Sequence, residues 1–210
     1  MGFYIMFVSY SCDRLNSCSK LKKENERDTI IVYNTLLETD SEFLIKRRDV
    51  SKDDIENQFF EKKVFVNSNL ICIERYNRKG ELFDNTYSSA IVEFEYDELN
   101  RVTKKKYFNK NLERVMNDFG GFWAVEYYYD DRGRIKKEIA KNKDDLIVEF
   151  IQGVDMRPSI VEYKYDRKGV AIKEFNEKRR FVRQFYCSKK EINTCIPYID
   201  SRVPLQFEEK

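Results

Sequence analysis

Three acidic pairs stand out as residues able to do chemistry: Asp53/Asp54, Asp130/Asp131 and Asp144/Asp145. Two carboxyls held close together can cleave a glycosidic bond or bind calcium. The last two pairs fall at expected turns, where Asp has a structural reason to be. No DxDxDG loop accompanies them. The 210 residues contain no His, which removes the commonest general base and the commonest metal ligand. A Ser-His-Asp triad, a Cys-His dyad, an HExxH zinc site and a C2H2 finger are therefore excluded within this chain. The five cysteines (Cys12, Cys18, Cys72, Cys187 and Cys195) include no CxxC pair, so neither a zinc ribbon nor a thioredoxin-like centre is supported. Cys187 and Cys195 either close a short loop or remain reduced thiols. The expectation is a protein without enzymatic activity, metal or cofactor; a carboxylate-dependent hydrolase is kept as an alternative.

Aromatic residues, 14 Tyr and 16 Phe, offer a second kind of chemistry, stacking on a ligand. Trp123, Tyr128 and Tyr129 form the candidate binding surface for a glycan, a peptide or a protein. Tyr128 is the most telling, because alternation places it on the face opposite Tyr127 and Tyr129. The run Gly120 to Tyr127 loosely resembles the RNA-binding strand of an RRM but lacks its leading basic residue. Lys+Arg 39 against Asp+Glu 37 leaves a net charge of +2, so no nucleic-acid partner is expected. The Lys104-Lys105-Lys106 run reads as a solvated strand face or as protection of a sheet edge.

These residues are positioned by a repeat. Four segments align: Glu74 to Gly80, Phe94 to Asn100, Tyr127 to Gly133 and Tyr163 to Gly169. Their common form is aromatic-x-Tyr-Asp-x-x-Gly, with Asn at Asn77 for Asp and at Asn100 for Gly. Before each Asp the residues alternate. Val125, Tyr127 and Tyr129 point one way and Glu126 the other, the signature of a half-buried strand. Asn77, Asp97, Asp130 and Asp166 can accept from backbone two residues on and open a turn. Gly80, Asn100, Gly133 and Gly169 then supply the left-handed position that returns the chain. Leu82, Val102, Ile135 and Ala171 follow, and Lys104, Lys137 and Lys173 lie two places further on in the last three copies. Polar breaks at Asn109 to Asn111, Asn142 to Asp145 and Glu177 to Arg179 introduce more strand-like runs: Leu112 to Val115, Leu146 to Ile151 and Phe181 to Tyr186. Connections this short force antiparallel neighbours. The fold class expected is all-β: an antiparallel β-meander of strand-turn-strand repeats, forming a twisted sheet or partly open barrel with at most one short helix.

The first third is less regular. Thr29 to Tyr33, Phe43 to Lys46, Val64 to Val66 and Leu70 to Ile73 read as strands. Ser51 to Asp54 resembles a capping box opening a short helix through Lys62. Met1 to Ser11 carries no charge and is followed by Cys12, Asp13 and Arg14. Its apolar core is far below the ~20 residues that span a bilayer. It reads either as the h-region of an export signal with Cys12 as the lipidated residue, or as a buried strand. On the first reading residues 1–11 are the signal, 12–28 a polar tether, and 29–210 a single β-repeat domain.

The segment Tyr127-x-Tyr129-Asp130-x-x-Gly133-Arg134-Ile135 resembles the YD repeat of Rhs-family and teneurin-type proteins. Phe94 to Val102 matches with Asn100 for Gly, Tyr163 to Gly169 matches with Val170 for Arg, and Glu74 to Leu82 is a degenerate copy. The resemblance covers residues 74–187. It implies extended antiparallel β-structure, a scaffold without catalytic residues, and an address at the cell envelope. Together with Cys12, the expectation is an envelope-associated bacterial lipoprotein, anchored to a membrane (surface or periplasmic) and serving as a binding or structural module for a protein, glycan or lipid. The alternative binding mode is a half-barrel carrier of an apolar ligand such as lipid.

Overall fold

The computed structural model describes residues 29–38, 43–85, 89–115, 122–148 and 158–190. The expected signal and tether, with Cys12 and Cys18, lie outside the described residues, as do Gly120, Gly121 and Cys195. Among the described residues, eleven strands form one open antiparallel sheet. They are β1 (Thr29–Glu38), β2 (Phe43–Val50), β3 (Phe59–Val66), β4 (Asn69–Tyr76), β5 (Ile91–Tyr96), β6 (Val102–Phe108), β7 (Ala124–Tyr129), β8 (Ile135–Lys141), β9 (Ile160–Tyr165), β10 (Gly169–Phe175) and β11 (Phe181–Ser188). The order is β11-β10-β9-β8-β7-β6-β5-β4-β3-β1-β2, so the chain from β3 onward is the expected meander. The sheet ends on β11 and β2 and does not close. The exception to sequential order is β1, which lies between β2 and β3.

β5 (IVEFEY), β7 (AVEYYY) and β9 (IVEYKY) share one burial pattern, with the first, second and fourth residues buried. Alternation therefore places Val92/Phe94, Val125/Tyr127 and Val161/Tyr163 in one apolar face, joined by Ile73, Ile135, Val170, Ile172 and Cys187. Phe122 and Val148, from the connections, join the same cluster. Each buried aromatic contributes roughly 1.5–3 kcal/mol, which one isolated hairpin could not collect.

The turns are built by one local rule. The Asp130 Oδ1 accepts from the Arg132 and Arg134 amides at 3.0 and 2.9 Å, while the Gly133 amide donates to the Asp130 carbonyl at 2.9 Å. Asp97 repeats this with Leu99, Arg101 and Asn100. Asn77, Asn109, Asn142 and Asn176 do the same at the opposite ends of the strands. The fourth residue of each turn is left-handed: Gly80, Asn100, Leu112, Gly133, Asp145 and Arg179. Gly169 departs from the expectation. Its φ is not left-handed, and a Cβ there would lie 2.0 Å from the Cys187 carbonyl oxygen. Glycine is needed at that position because β11 passes too close for a side chain.

Other expectations are corrected. Leu112 to Val115 forms no strand and holds one bridge, Phe108 with Arg114; Leu146 to Val148 likewise holds Lys141 with Ile147. The helix expected through Lys62 is a single 3-10 turn, Asp53–Ile55. The capping box does form, with the Ser51 hydroxyl donating to Asp54 Oδ2 at 2.8 Å and the Asp54 amide donating back to Ser51 Oγ at 3.3 Å. Asn57 at φ 58° then ends the turn, and the aromatic and β-branched run FFEKKVFV takes the strand conformation instead. Lys104-Lys105-Lys106 protects no edge, because β6 lies inside the sheet between β5 and β7.

Candidate functional site

The two faces of the sheet divide the labour. Opposite the apolar face runs a ladder of charge, set by two positions of the repeat. Four residues before each turn Asp stands a glutamate: Glu93, Glu126 and Glu162. Seven residues after it stands a lysine: Lys104, Lys137 and Lys173. Strand register brings the first two lysines opposite the glutamate of the next unit, Lys104 with Glu126 and Lys137 with Glu162. Lys104 Nζ reaches Glu126 Oε1 at 3.2 Å, and Lys141 approaches the same carboxylate at 3.6 Å. Lys106 pairs with Glu95 across β5 and β6. Opposite charges facing one another across strands stabilise a sheet and fix its register.

A second contact joins the units at the Asp turns. Asp130 Oδ2 accepts from Arg134 Nε at 2.8 Å, and that guanidinium lies 4.6 Å from the Tyr165 ring of the following unit. Arg101 does the same from Asp97, over the Tyr129 ring at 4.6 Å. The Tyr129 hydroxyl in turn donates to the Val102 carbonyl at 2.7 Å. The aromatic-Tyr-Asp-x-x-Gly-Arg pattern is thus a coupling device: Asp shapes the turn, holds Arg, and Arg covers the next Tyr. Partial burial pushes the Asp97 and Asp130 carboxyls up, but hydrogen bonds from the Arg101 and Arg134 turns outweigh it and hold both below the usual carboxylate range. Burial pushes the Tyr129 phenol up to about 12, so it stays protonated as a donor. In the last unit Val170 replaces the arginine, and Asp166 Oδ1 accepts from the Tyr186 hydroxyl at 2.8 Å instead.

The expected binding surface is divided by the fold. Tyr128 is displayed, 42% exposed, with its hydroxyl 3.2 Å from Glu126 Oε2 and Lys137 Nζ 5.7 Å from the ring centre. Trp123 is only 2% exposed, packed edge-on against Phe108, with Arg114 4.2 Å from its ring centre. Tyr129 is half-buried under Arg101. Both are structural, because their rings lie under side chains of neighbouring strands and turns. Asn77, Gly80, Asp97, Asn100, Asp130, Gly133, Asp166 and Gly169 all belong to turns or to a strand start, as described above.

The three acidic pairs stand at three separate turns and do not converge. Asp54 is engaged by Ser51, Asp130 by Arg134, and Asp145 by Arg114 at 2.8 Å. No cluster of three or more metal-ligating side chains occurs among the described residues. Cys187 is buried in the apolar face, and its expected partner Cys195 lies outside the described residues. Cys72 is disulfide-bonded.

Beside Tyr128 the charged face holds a hollow of about 370 Å³ that the sequence reading did not find. Five cations (Lys136, Lys137, Lys164, Lys173 and Arg179) surround it with the single carboxylate of Glu162. Glu162 stands between Lys137 and Lys173 in register, with Arg179 at 3.7 Å. The periodic lysines were the available signal; what was missing was the register that gathers them. No protein-family model matches the chain, and comparison with curated proteins likewise gives no match.

Proposed function

We propose that the chain is a non-enzymatic, envelope-associated β-repeat lipoprotein, akin to YD-repeat proteins, that serves as a binding or structural module. One observation carries this reading: the turn in which Asp holds an arginine over the tyrosine of the next unit, made by Asp97-Arg101-Tyr129 and repeated by Asp130-Arg134-Tyr165. Such a device propagates a scaffold, and it uses for structure the carboxylates that a hydrolase would need for catalysis. The disulfide state of Cys72 is consistent with an exported protein. The uncharged run Met1 to Ser11 followed by Cys12 supplies the anchor in this reading. Radiolabelled palmitate should enter the expressed protein and be lost in a Cys12→Ser variant. Labelling of that variant at the wild-type level would remove the assignment of Cys12.

A further inference from the structure

We infer that the hollow formed by β8, β9 and β10 is an anion site that takes a compact polyanion carrying phosphate groups. Three departures from the repeat converge there. The position two residues before the turn Asp is Glu95 in the first unit, Tyr128 in the second and Lys164 in the third. The left-handed residue of the Asn turn is Asp145 after β8 and Arg179 after β10. Asp145 sends its carboxylate to Lys104 at 3.5 Å and Arg114 at 2.8 Å, whereas Arg179 sends a guanidinium to Glu162. Finally, Lys104 and Lys137 face a glutamate of the next strand, but Lys173 faces Gln184 of β11.

Each change adds positive charge or removes negative charge at one place. Five cations against one carboxylate give +4 around the hollow, while the entire chain carries +2. The excess is therefore local and is balanced elsewhere on the molecule. Ala171, the small side chain on the β10 wall, leaves the space open. The size of about 370 Å³ suits a diphosphate or a phosphorylated sugar. An arginine in the left-handed region is also uncommon for a non-glycine residue. The Asn turn imposes that conformation, and from it the Arg179 guanidinium reaches to 3.7 Å from Glu162 at the hollow.

This names a ligand class for the binding module proposed above and rests on that reading only for its cellular setting. Palmitate labelling can fail without touching it. Titration calorimetry of the full chain with inorganic pyrophosphate, at low ionic strength, should give one saturable site. The double variant Lys164→Tyr, Arg179→Asp writes the middle unit's residues into the last and should weaken binding at least about tenfold, as loss of two charge-assisted contacts requires. Lys110→Glu, on the turn after β6, should leave it unchanged. On the wild-type protein, pyrophosphate should shield Lys137, Lys164 and Lys173 from acetylation and leave Lys110 reactive, a readout that needs no variant to fold. No saturable binding by the wild type, or saturable binding without that shielding, overturns the site. Phosphatidylglycerol vesicles separate the sources: capture that depends on Lys164 and Arg179 assigns the phosphate to a lipid headgroup. Pyrophosphate binding without vesicle capture assigns it to a soluble compound.

Discussion

β7 and β9 bury the same positions, yet the units they begin differ at their turns and on their outer face. In the middle unit, Gly133 is left-handed, Arg134 bridges to Tyr165, and Asp145 places a carboxylate between Lys104 and Arg114. In the last unit, Gly169 sits under β11, Val170 interrupts the arginine bridge, and Arg179 stands where Asp145 stood. The apolar face tolerates little variation because every unit must pack on the next. The outer face and turns are freer, and that is where the last unit has diverged.

The largest effect should fall on what the two units share. Tyr127→Ala and Tyr163→Ala each remove a buried ring, 5% and 7% exposed. Both should cost about 3–5 kcal/mol in chemical denaturation. A much smaller loss at one of them would break the equivalence of the units.

The glycines should separate the units next. Asn100 occupies the left-handed position in the first unit, so Gly133→Asn should cost only a few tenths of a kcal/mol. Gly169→Asn places a Cβ against the Cys187 carbonyl and should cost about 1–3 kcal/mol or more. Equal thermal shifts for the two variants would contradict the close approach of β11.

Acid should then sharpen the difference in turn electrostatics. The Asp130 carboxyl is held below its usual value in the fold. Its contribution is therefore complete above the unfolded value of about 3.9 and is lost as pH falls through the lower folded value. Asp130→Asn keeps the amide-accepting oxygen, as Asn142 does, but loses the charge pairing with Arg134. It should lower stability at neutral pH by about 0.5 kcal/mol, since the pair is partly exposed. It should also flatten the stability profile below about pH 4. Denaturation midpoints across that range check both outcomes.

Arg134→Leu removes both the stacking on Tyr165 and the pairing with Asp130, and should cost about 0.5–1 kcal/mol. The last unit already does without this bridge, because Val170 stands at that position. A double-mutant cycle of Arg134 with Tyr165 measures the coupling directly.

The regular strands were legible because alternation in AVEYYY and IVEYKY coincides with burial, and because Asp-x-x-Gly names its own turn. The Asn turns were harder to recognise as the same motif. Beside Gly80 and Asp145, their left-handed positions hold Leu112 and Arg179, residues with no turn signature. In the first third, register shifts between Tyr33 and Leu36 disturb the period of two. Asn34 and Glu61 are also buried there as a hydrogen-bonded pair at 2.8 Å, where an apolar pair would have announced a strand core. Trp123 could not be separated from Tyr128 by type, since only its packing against Phe108 shows that it is structural. The basic hollow depends on which lysines meet across strands, and a linear sequence leaves that register unstated.

The sequential strand order from β3 to β11 has a kinetic consequence. Every pairing in that stretch joins strands consecutive in sequence, and five of the eight connections have five residues or fewer, so little chain entropy is spent before contacts form. Ordering should spread from hairpin to hairpin, and under load the molecule should peel from its β11 end in small steps. A duplicated unit inserted between β8 and β9 would lengthen such an array without requiring any distant contact to be remade.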